Sequence, residues 1–204
     1  MRRTLVVIGN GVLANHVLYI LSHRTGYDRI VLCARDLERA TRLVNTLRQH
    51  AVNMGHDIDI VAGRLDLDEA DQSCETLRNL APDVIFNTAS MQSWWVVTKL
   101  PEGLREQVAQ TRFGPWLPLH LSPTIKLMQI LGAAEIDPNV VNAAFPDAVH
   151  PALAAVGMSP HIGIGNIANV VPALRLAVAD ALNRCVRDVD VRICAHHFVS
   201  YRLS

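Results

Sequence analysis

The feature of this sequence that most constrains its fold is a glycine-rich turn between an apolar run and a helix-like segment near the amino terminus. The run Leu5–Ile8 leads into Gly9-Asn10-Gly11-Val12-Leu13-Ala14, a G-x-G-x-x-A pattern. At such a turn the first glycine permits the tight bend, the second lets backbone N–H groups approach a phosphate, and the alanine lets helix and strand pack closely. The following helix adds partial positive charge. The pattern predicts the pyrophosphate site of a dinucleotide; a plain tight turn is the alternative.

The next predicted strand indicates which dinucleotide fits. A helix over about Gly11–His23 leads to a strand over Arg29–Ala34, and Arg35 and Asp36 follow at its tip. NAD sites usually place an acidic residue there for the ribose hydroxyl, whereas NADP sites use an arginine for the 2′-phosphate. Arg35 therefore predicts NADP. Asp36 keeps NAD as the alternative, although it is also a natural N-cap for the next helix.

The remaining sequence alternates strand-like and helix-like segments. Further strands are predicted at residues 57–62, 83–88, 139–144, 161–166 and 188–197, with helices ending near 80 and spanning 122–134, 150–156 and 167–183. Residues 89–122 are predicted to be irregular, because their prolines exclude one long helix. This alternation predicts an α/β fold: a doubly wound, mostly parallel Rossmann sheet with helices on both faces. We expect residues 1–186 to form the cofactor-binding domain and residues 187–204 a last strand or the beginning of a second domain.

Composition excludes several classes of partner. The formal net charge of the 204 residues is zero, which gives no support for nucleic acid or an anionic membrane surface as a partner. No uninterrupted apolar segment reaches the roughly 18 residues of a membrane-spanning helix. The four cysteines lie far apart with no C-x-x-C pair. They therefore predict no metal site and fit a reducing, cytoplasmic location.

Several segments together resemble a known family. IGNGVLANHVLYIL, VLCARDLERATRLVNTL, DVIFNTAS and VVNAAFPD are similar to the NAD(P)-binding domain of the saccharopine dehydrogenase-like family, over about residues 4–150. The resemblance implies a nicotinamide-dependent oxidoreductase that interconverts an amine and an imine on a small, amino-acid-type substrate. Members of that family are longer and carry a second, substrate-binding domain. The chain is thus expected to be a fragment of such an enzyme, or a non-catalytic dinucleotide-binding or sensing module.

The resemblance also implies roles for individual residues. The pyrophosphate loop would be formed by Gly9, Gly11, Val12, Leu13 and Ala14. Arg35 would contact the adenosine phosphate. The wall beside the nicotinamide ribose would be formed by Asn87, Thr88 and Ala89, and the next strand tip along the crevice by Asn142, Ala143 and Phe145.

Candidates for proton transfer follow the strand predicted at residues 139–144. Asp147 and His150 are three residues apart and would share one face of a helix, which places an acid and an imidazole near the crevice. The alternative is that Asp147 caps the helix begun by Pro146 and that His150 is an ordinary surface residue. An unpaired last strand would favour a homodimer.

Overall fold

A parallel β-sheet of six strands forms the centre of the described chain. The computed structural model describes residues 3–24, 26–111, 114, 116–165 and 167–194. The strands are β1 (Thr4–Ile8), β2 (Arg29–Ala34), β3 (Asp59–Arg64), β4 (Val84–Asn87), β5 (Asn139–Asn142) and β6 (Ile162–Gly163). They pair in parallel in the order β3-β2-β1-β4-β5-β6. This is the strand order of the doubly wound dinucleotide-binding fold, so the predicted Rossmann sheet is confirmed.

Helices cover both faces of this sheet. The described part of residues 1–163 contains α1 (Val12–Leu21), α2 (Leu37–Asn53), α3 (Ala70–Leu80), α4 (Glu102–Gln110), α5 (Trp116–Ala134) and α6 (Pro146–Ala154); a further helix, α7 (Ile167–Ala181), follows in the chain. Successive side chains of a strand point to opposite faces. Accordingly, Val6 and Ile8 of β1 pack in one core with α3 and α5, whereas Leu5 and Val7 pack in the other with α1 and α2. Burial on both faces explains why the central strands read as continuous apolar runs.

Helix α5 begins earlier than the sequence indicates. It was predicted from Ser122, but it starts at Trp116 and contains Pro123. Proline lacks an N–H group and therefore leaves the carbonyl four residues earlier without its helical partner. That carbonyl belongs to Leu119, and it accepts a hydrogen bond from the backbone N–H of Met91 at 2.9 Å. An external donor thus replaces the missing bond, and the helix continues through the proline. The rest of the segment predicted to be irregular holds a 3-10 helix at Trp94–Lys99 and α4.

The ends of other elements also differ from the predictions. β5 ends at Asn142 instead of residue 144, because the Asn142 side chain accepts from the N–H of Ala144 and donates to its carbonyl. These bonds turn the chain out of the sheet. β3 is shifted to Asp59–Arg64, and β6 is confined to Ile162–Gly163 within the predicted residues 161–166.

The chain divides into two compact units, Met1–Gly163 and Ile164–Ser204. The second unit contains α7 and a 3-10 helix at Val186–Asp188. The strand predicted at residues 188–197 is wrong for the part that is described, up to residue 194. The Arg175 side chain donates to the carbonyls of Val186 and Val189 and occupies backbone groups that a strand would use. Residues 195–204 lie outside the described chain, and the domain boundary at residue 186 stays a prediction.

No helix in the described ranges is long and apolar enough to cross a membrane.

One side chain joins α3 to α5. Arg78 donates from Nε to the Ala134 carbonyl at 2.9 Å and from Nη2 to the Ala133 carbonyl at 2.7 Å. These bonds satisfy carbonyls at the end of α5 that have no partner within the helix. We expect Arg78→Ala to lower the free energy of unfolding by about 1–3 kcal/mol, measured by urea denaturation. Arg39→Ala, an exposed helical arginine, is the control; an equal loss in both variants would contradict this role.

The cysteine thiols should fall into two classes. Cys33 and Cys74 are buried, whereas Cys185 and Cys194 are exposed. Burial raises the pKa of the Cys33 thiol to about 12, so at pH 8 roughly one molecule in ten thousand carries the thiolate there. We expect a disulfide reagent to titrate Cys185 and Cys194 quickly in the native protein and the other two only after denaturation. Rapid native labelling of Cys33, read by mass spectrometry, would contradict the packing.

Candidate dinucleotide site

The glycine-rich turn joins β1 to α1 at the carboxyl edge of the sheet. Gly9 has a φ of +105°, and its N–H donates to the Cys33 carbonyl at 2.9 Å. A Cβ atom at Gly9 would lie 2.6 Å from Oγ1 of Thr88 and 3.2 Å from the nitrogen of Ala89. Glycine is therefore required here both by backbone conformation and by the proximity of the chain that leaves β4.

The other end of the turn is open. Gly11 is the N-cap of α1 and makes no side-chain capping bond, and a Cβ atom there would meet no atom within 4 Å. Val12 and Leu13 are 66% and 46% exposed, whereas Ala14 is fully buried against the sheet. The first N–H groups of a helix have no partners within it and carry partial positive charge. This end of α1 can therefore bind a phosphate group.

Asn10 adds an unpartnered donor to the same turn. Its Nδ2 atom is buried and makes no hydrogen bond within the described part of the chain. Such groups are rare in folded proteins, because a buried polar atom without a partner is costly. Together with the space in front of Gly11, this orphaned donor fits a turn that is completed by a bound polar group.

The tip of β2 carries the residues that the sequence predicted to select the cofactor. Arg35 is exposed, and no described side chain pairs with its guanidinium at hydrogen-bonding distance. Asp36 is the N-cap of α2, and its Oδ1 atom accepts from the N–H of Arg39 at 2.9 Å. The pKa of Asp68 is lowered first by its hydrogen bond to Lys126, and Arg35 contributes more weakly through its charge.

A buried polar network joins the tips of β4 and β5. Nδ2 of Asn87 donates to Oδ1 of Asn142 at 3.0 Å and to Oγ1 of Thr124 at 3.3 Å. All three residues are fully buried. The side-chain oxygen of Asn87, Oδ1, in turn accepts from the N–H of Ala89 at 3.1 Å.

These bonds occupy the amides that were predicted to line the nicotinamide side. The side chains of Asn87 and Asn142 hold the strand tips in place, and the half-buried Thr88 and Ala89 lie beside the Gly9 turn. Thr88 is itself fixed, since its Oγ1 and its N–H both donate to the Ile8 carbonyl, at 2.8 Å and 2.9 Å. Direct contact of these residues with a cofactor stays a prediction.

Asp147 and His150 lie in the first two turns of α6, which begins at Pro146, earlier than the helix predicted at residues 150–156. Asp147 is not the N-cap residue of this helix, since that position is occupied by Phe145, with a φ of +50°. The His150 ring lies beside Gly163 at the end of β6, and its Nε2 atom is buried without a hydrogen-bond partner among the described residues. Burial lowers the pKa of His150, and the charge of Asp147 partly opposes this. The structure therefore brings the two residues together at the carboxyl edge.

Sequence reasoning missed His120. It lies in the first turns of α5, half-buried, with its ring centroid 5.6 Å from that of Phe145. Its Nδ1 atom is buried without a hydrogen-bond partner, and burial lowers its pKa. The surrounding prolines hid the helix that positions His120. Its spacing of four residues from the buried Thr124 was the available signal, since such residues share a helix face.

No group of three or more histidine, cysteine or acidic residues in the described chain could hold a metal ion.

No family model matches this sequence, and no curated protein matches it. Solved structures share its fold. The malate dehydrogenase of Plasmodium falciparum matches over 96% of this chain with a TM-score of 0.67 at 16% identity. The lactate dehydrogenase of Eimeria maxima, determined with NADH and oxamate, matches over 93% with a TM-score of 0.58 at 19% identity.

The malate dehydrogenase of Picrophilus torridus in its apo form matches over 92% with a TM-score of 0.63 at 20% identity. This chain covers 55%, 51% and 53% of these three chains, so it spans about half of their length. At such identities the similarity shows the fold alone. Nothing in these comparisons supports the saccharopine dehydrogenase-like family in particular, and that resemblance stays a prediction.

Proposed function

We propose that this chain is the cofactor-binding domain of a nicotinamide-dependent oxidoreductase and that it binds NADP(H). The observation that carries the proposal is the open N-terminus of α1, where Gly11 is unobstructed and the neighbouring Asn10 keeps a buried Nδ2 atom without a partner among the described residues. Gly9–Ala14 would hold the pyrophosphate, and Arg35 the adenosine phosphate. Structural neighbours that were determined with NADH or NAD support the dinucleotide assignment.

The choice of NADP over NAD depends on the two residues after β2. The Asp36 carboxylate caps α2 through Oδ1, so one of its two oxygens is already engaged. Arg35 is exposed, and its planar guanidinium suits a phosphate monoester, which it can bind with two parallel hydrogen bonds. NAD stays the alternative cofactor.

The substrate is proposed by class. When bound, the nicotinamide supplies hydride transfer, and the protein supplies orientation and proton transfer. The sequence resemblance favours an amino-acid-type amine or imine, whereas the structural neighbours include enzymes determined with lactic acid or oxamate. Asp147 and His150 are the predicted proton-transfer pair. Assays with amino acids plus keto acids, and separately with 2-hydroxy acids, distinguish these classes; NADPH binding without turnover in any of them would favour a non-catalytic module.

Two glycine substitutions should separate binding from folding. We expect Gly11→Val to abolish NADPH binding, measured by fluorescence titration, because the branched side chain would enter the space of the pyrophosphate. Its free energy of unfolding should change by only about 1 kcal/mol or less, since its Cβ meets no neighbour. Gly9→Ala is the matched contrast and should lower the free energy of unfolding by more than about 2 kcal/mol, because φ is +105° and Thr88 is too close. Unchanged NADPH affinity in Gly11→Val would refute the site.

Charge reversal at the β2 tip should change cofactor preference. We expect Arg35→Asp to weaken NADPH binding by about tenfold or more, because a bidentate guanidinium–phosphate contact is lost and a like charge takes its place. NADH binding should be retained or improved, since a carboxylate can accept from the ribose hydroxyls. Arg48→Asp, a charge reversal near the other end of α2, is the control. Equal losses for both cofactors would mean that Arg35 is structural.

A further inference from the structure

Two histidines at the carboxyl edge each have a buried ring nitrogen for which the described residues supply no hydrogen-bond partner. These atoms are Nδ1 of His120 and Nε2 of His150. Buried polar atoms are nearly always hydrogen-bonded, so two orphans at one edge of the sheet require an explanation. Their surroundings differ: the His150 ring lies beside Gly163 at the end of β6, whereas the His120 ring lies beside Phe145 at the end of β5.

His120 is tied to the tip of β4 by two connections. The Leu119 carbonyl, freed by Pro123, accepts from the N–H of Met91 in the loop that leaves β4. The His120 carbonyl accepts from Oγ1 of Thr124 at 2.9 Å, and the same Oγ1 accepts from the buried side chain of Asn87, the last residue of β4. The position of His120 is therefore fixed relative to β4 by bonds on both sides of the residue.

Strand β4 borders the point at which the two mononucleotide halves of a bound dinucleotide would meet. In this strand order the ligand lies across the crevice between β1 and β4, with one mononucleotide half on each side. Arg35, at the end of β2, marks the adenosine side. The nicotinamide half then lies over β4 and β5. His120 stands on that side, whereas His150 is displaced toward β6.

We propose that His120 lies at the nicotinamide end of the bound cofactor and accepts the proton that leaves the hydroxyl or amine of the substrate. The inference rests on the proposed oxidoreductase function and assigns its proton acceptor to His120 in place of the pair predicted from the sequence, Asp147 and His150. In the oxidation, the substrate carbon loses a hydride to the nicotinamide, the oxygen or nitrogen loses a proton to the imidazole, and a C=O or C=N double bond forms. The reverse reaction returns the hydride and the proton to the substrate.

The local charges suit this role. Burial lowers the pKa of His120, so its imidazole is neutral at neutral pH and can accept a proton. The charged groups described on the surrounding elements interact with residues other than His120. Lys126 of α5 pairs with Asp68, the charge of Asp147 of α6 affects His150, and Lys99 lies over the Trp95 ring. A charge added near His120 should therefore shift the pKa of its imidazole strongly.

The test uses that sensitivity and requires no turnover. In the full chain with isotope-labelled histidines, the imidazole signals are followed by NMR against pH, with saturating NADP⁺ or NADPH. His120→Gln and His150→Gln identify the two resonances, and His120→Asn replaces the first if it does not fold. The oxidised nicotinamide ring is positively charged and disfavours a nearby imidazolium. We expect the titration midpoint of His120 to be lower with NADP⁺ than with NADPH by at least about half a pH unit.

His56, an exposed residue just before β3 at the opposite edge, is the internal control and should not distinguish the two cofactors. Equal His120 midpoints in the two complexes would overturn the proposal, as would a difference confined to His150. If the chain binds NAD but not NADP, the NAD⁺ and NADH pair gives the same comparison. Failure to bind either pair would refute the proposed function itself.

Discussion

The close approach of the backbone at Gly9 to Thr88 is the contact on which the candidate site depends. It brings together the ends of β1 and β4, the two strands between which the winding of the sheet reverses. Thr88 bonds twice to the Ile8 carbonyl, and a side chain at Gly9 would collide with it. The φ of +105° at Gly9 then turns the chain so that α1 starts over the crevice. The backbone alone therefore leaves the N-terminus of α1 open at this edge, before any polar side chain contributes.

Polar side chains at the carboxyl edge fall into two groups: some hydrogen-bond within the protein and support the strand tips, and others are exposed or have unbonded atoms. The buried amides of Asn87 and Asn142 bond to each other and to nearby backbone, and so make the wall of the crevice rigid. Arg35 is exposed at the tip of β2. The imidazoles of His120 and His150 have buried nitrogens that the described protein leaves unbonded. Side chains whose hydrogen bonds are satisfied within the protein maintain the shape of this edge. Those with unsatisfied polar atoms are the candidates for contact with a ligand.

Much of the fold could be predicted from the sequence, because the signals were local. The apolar runs of β1 and β2, the glycine turn and the Asp36 cap each depend on a few adjacent residues. The missed features depend on distant partners. From the sequence alone, Pro123 is expected to start a helix, because no adjacent residue indicates that the N–H of Met91 supplies the missing hydrogen bond. The strand predicted near residue 188 failed where Arg175 captures carbonyls more than ten residues away.

The same distinction explains how much of the candidate site could be predicted. The turn at Gly9 and the tip at Arg35 belong to a local motif with a known mechanical basis. His120 could not be found in this way, because its importance arises only once α5 begins at Trp116 and brings its ring to Phe145. The spacing of His120 from Thr124 does not by itself show this, because an imidazole in an apolar, proline-rich segment becomes a candidate only when the fold supplies its neighbours.

The pairing of Asn87 with Asn142 has a consequence for how this sequence can change. The Asn87 amide donates to the Asn142 amide where both are fully buried, so replacing one leaves the second with an unmet hydrogen-bonding group. Replacing both with apolar residues of similar shape avoids that loss. Divergent sequences with this fold should therefore keep both amides or lose both, and the two positions should covary although they lie on different strands and 55 residues apart.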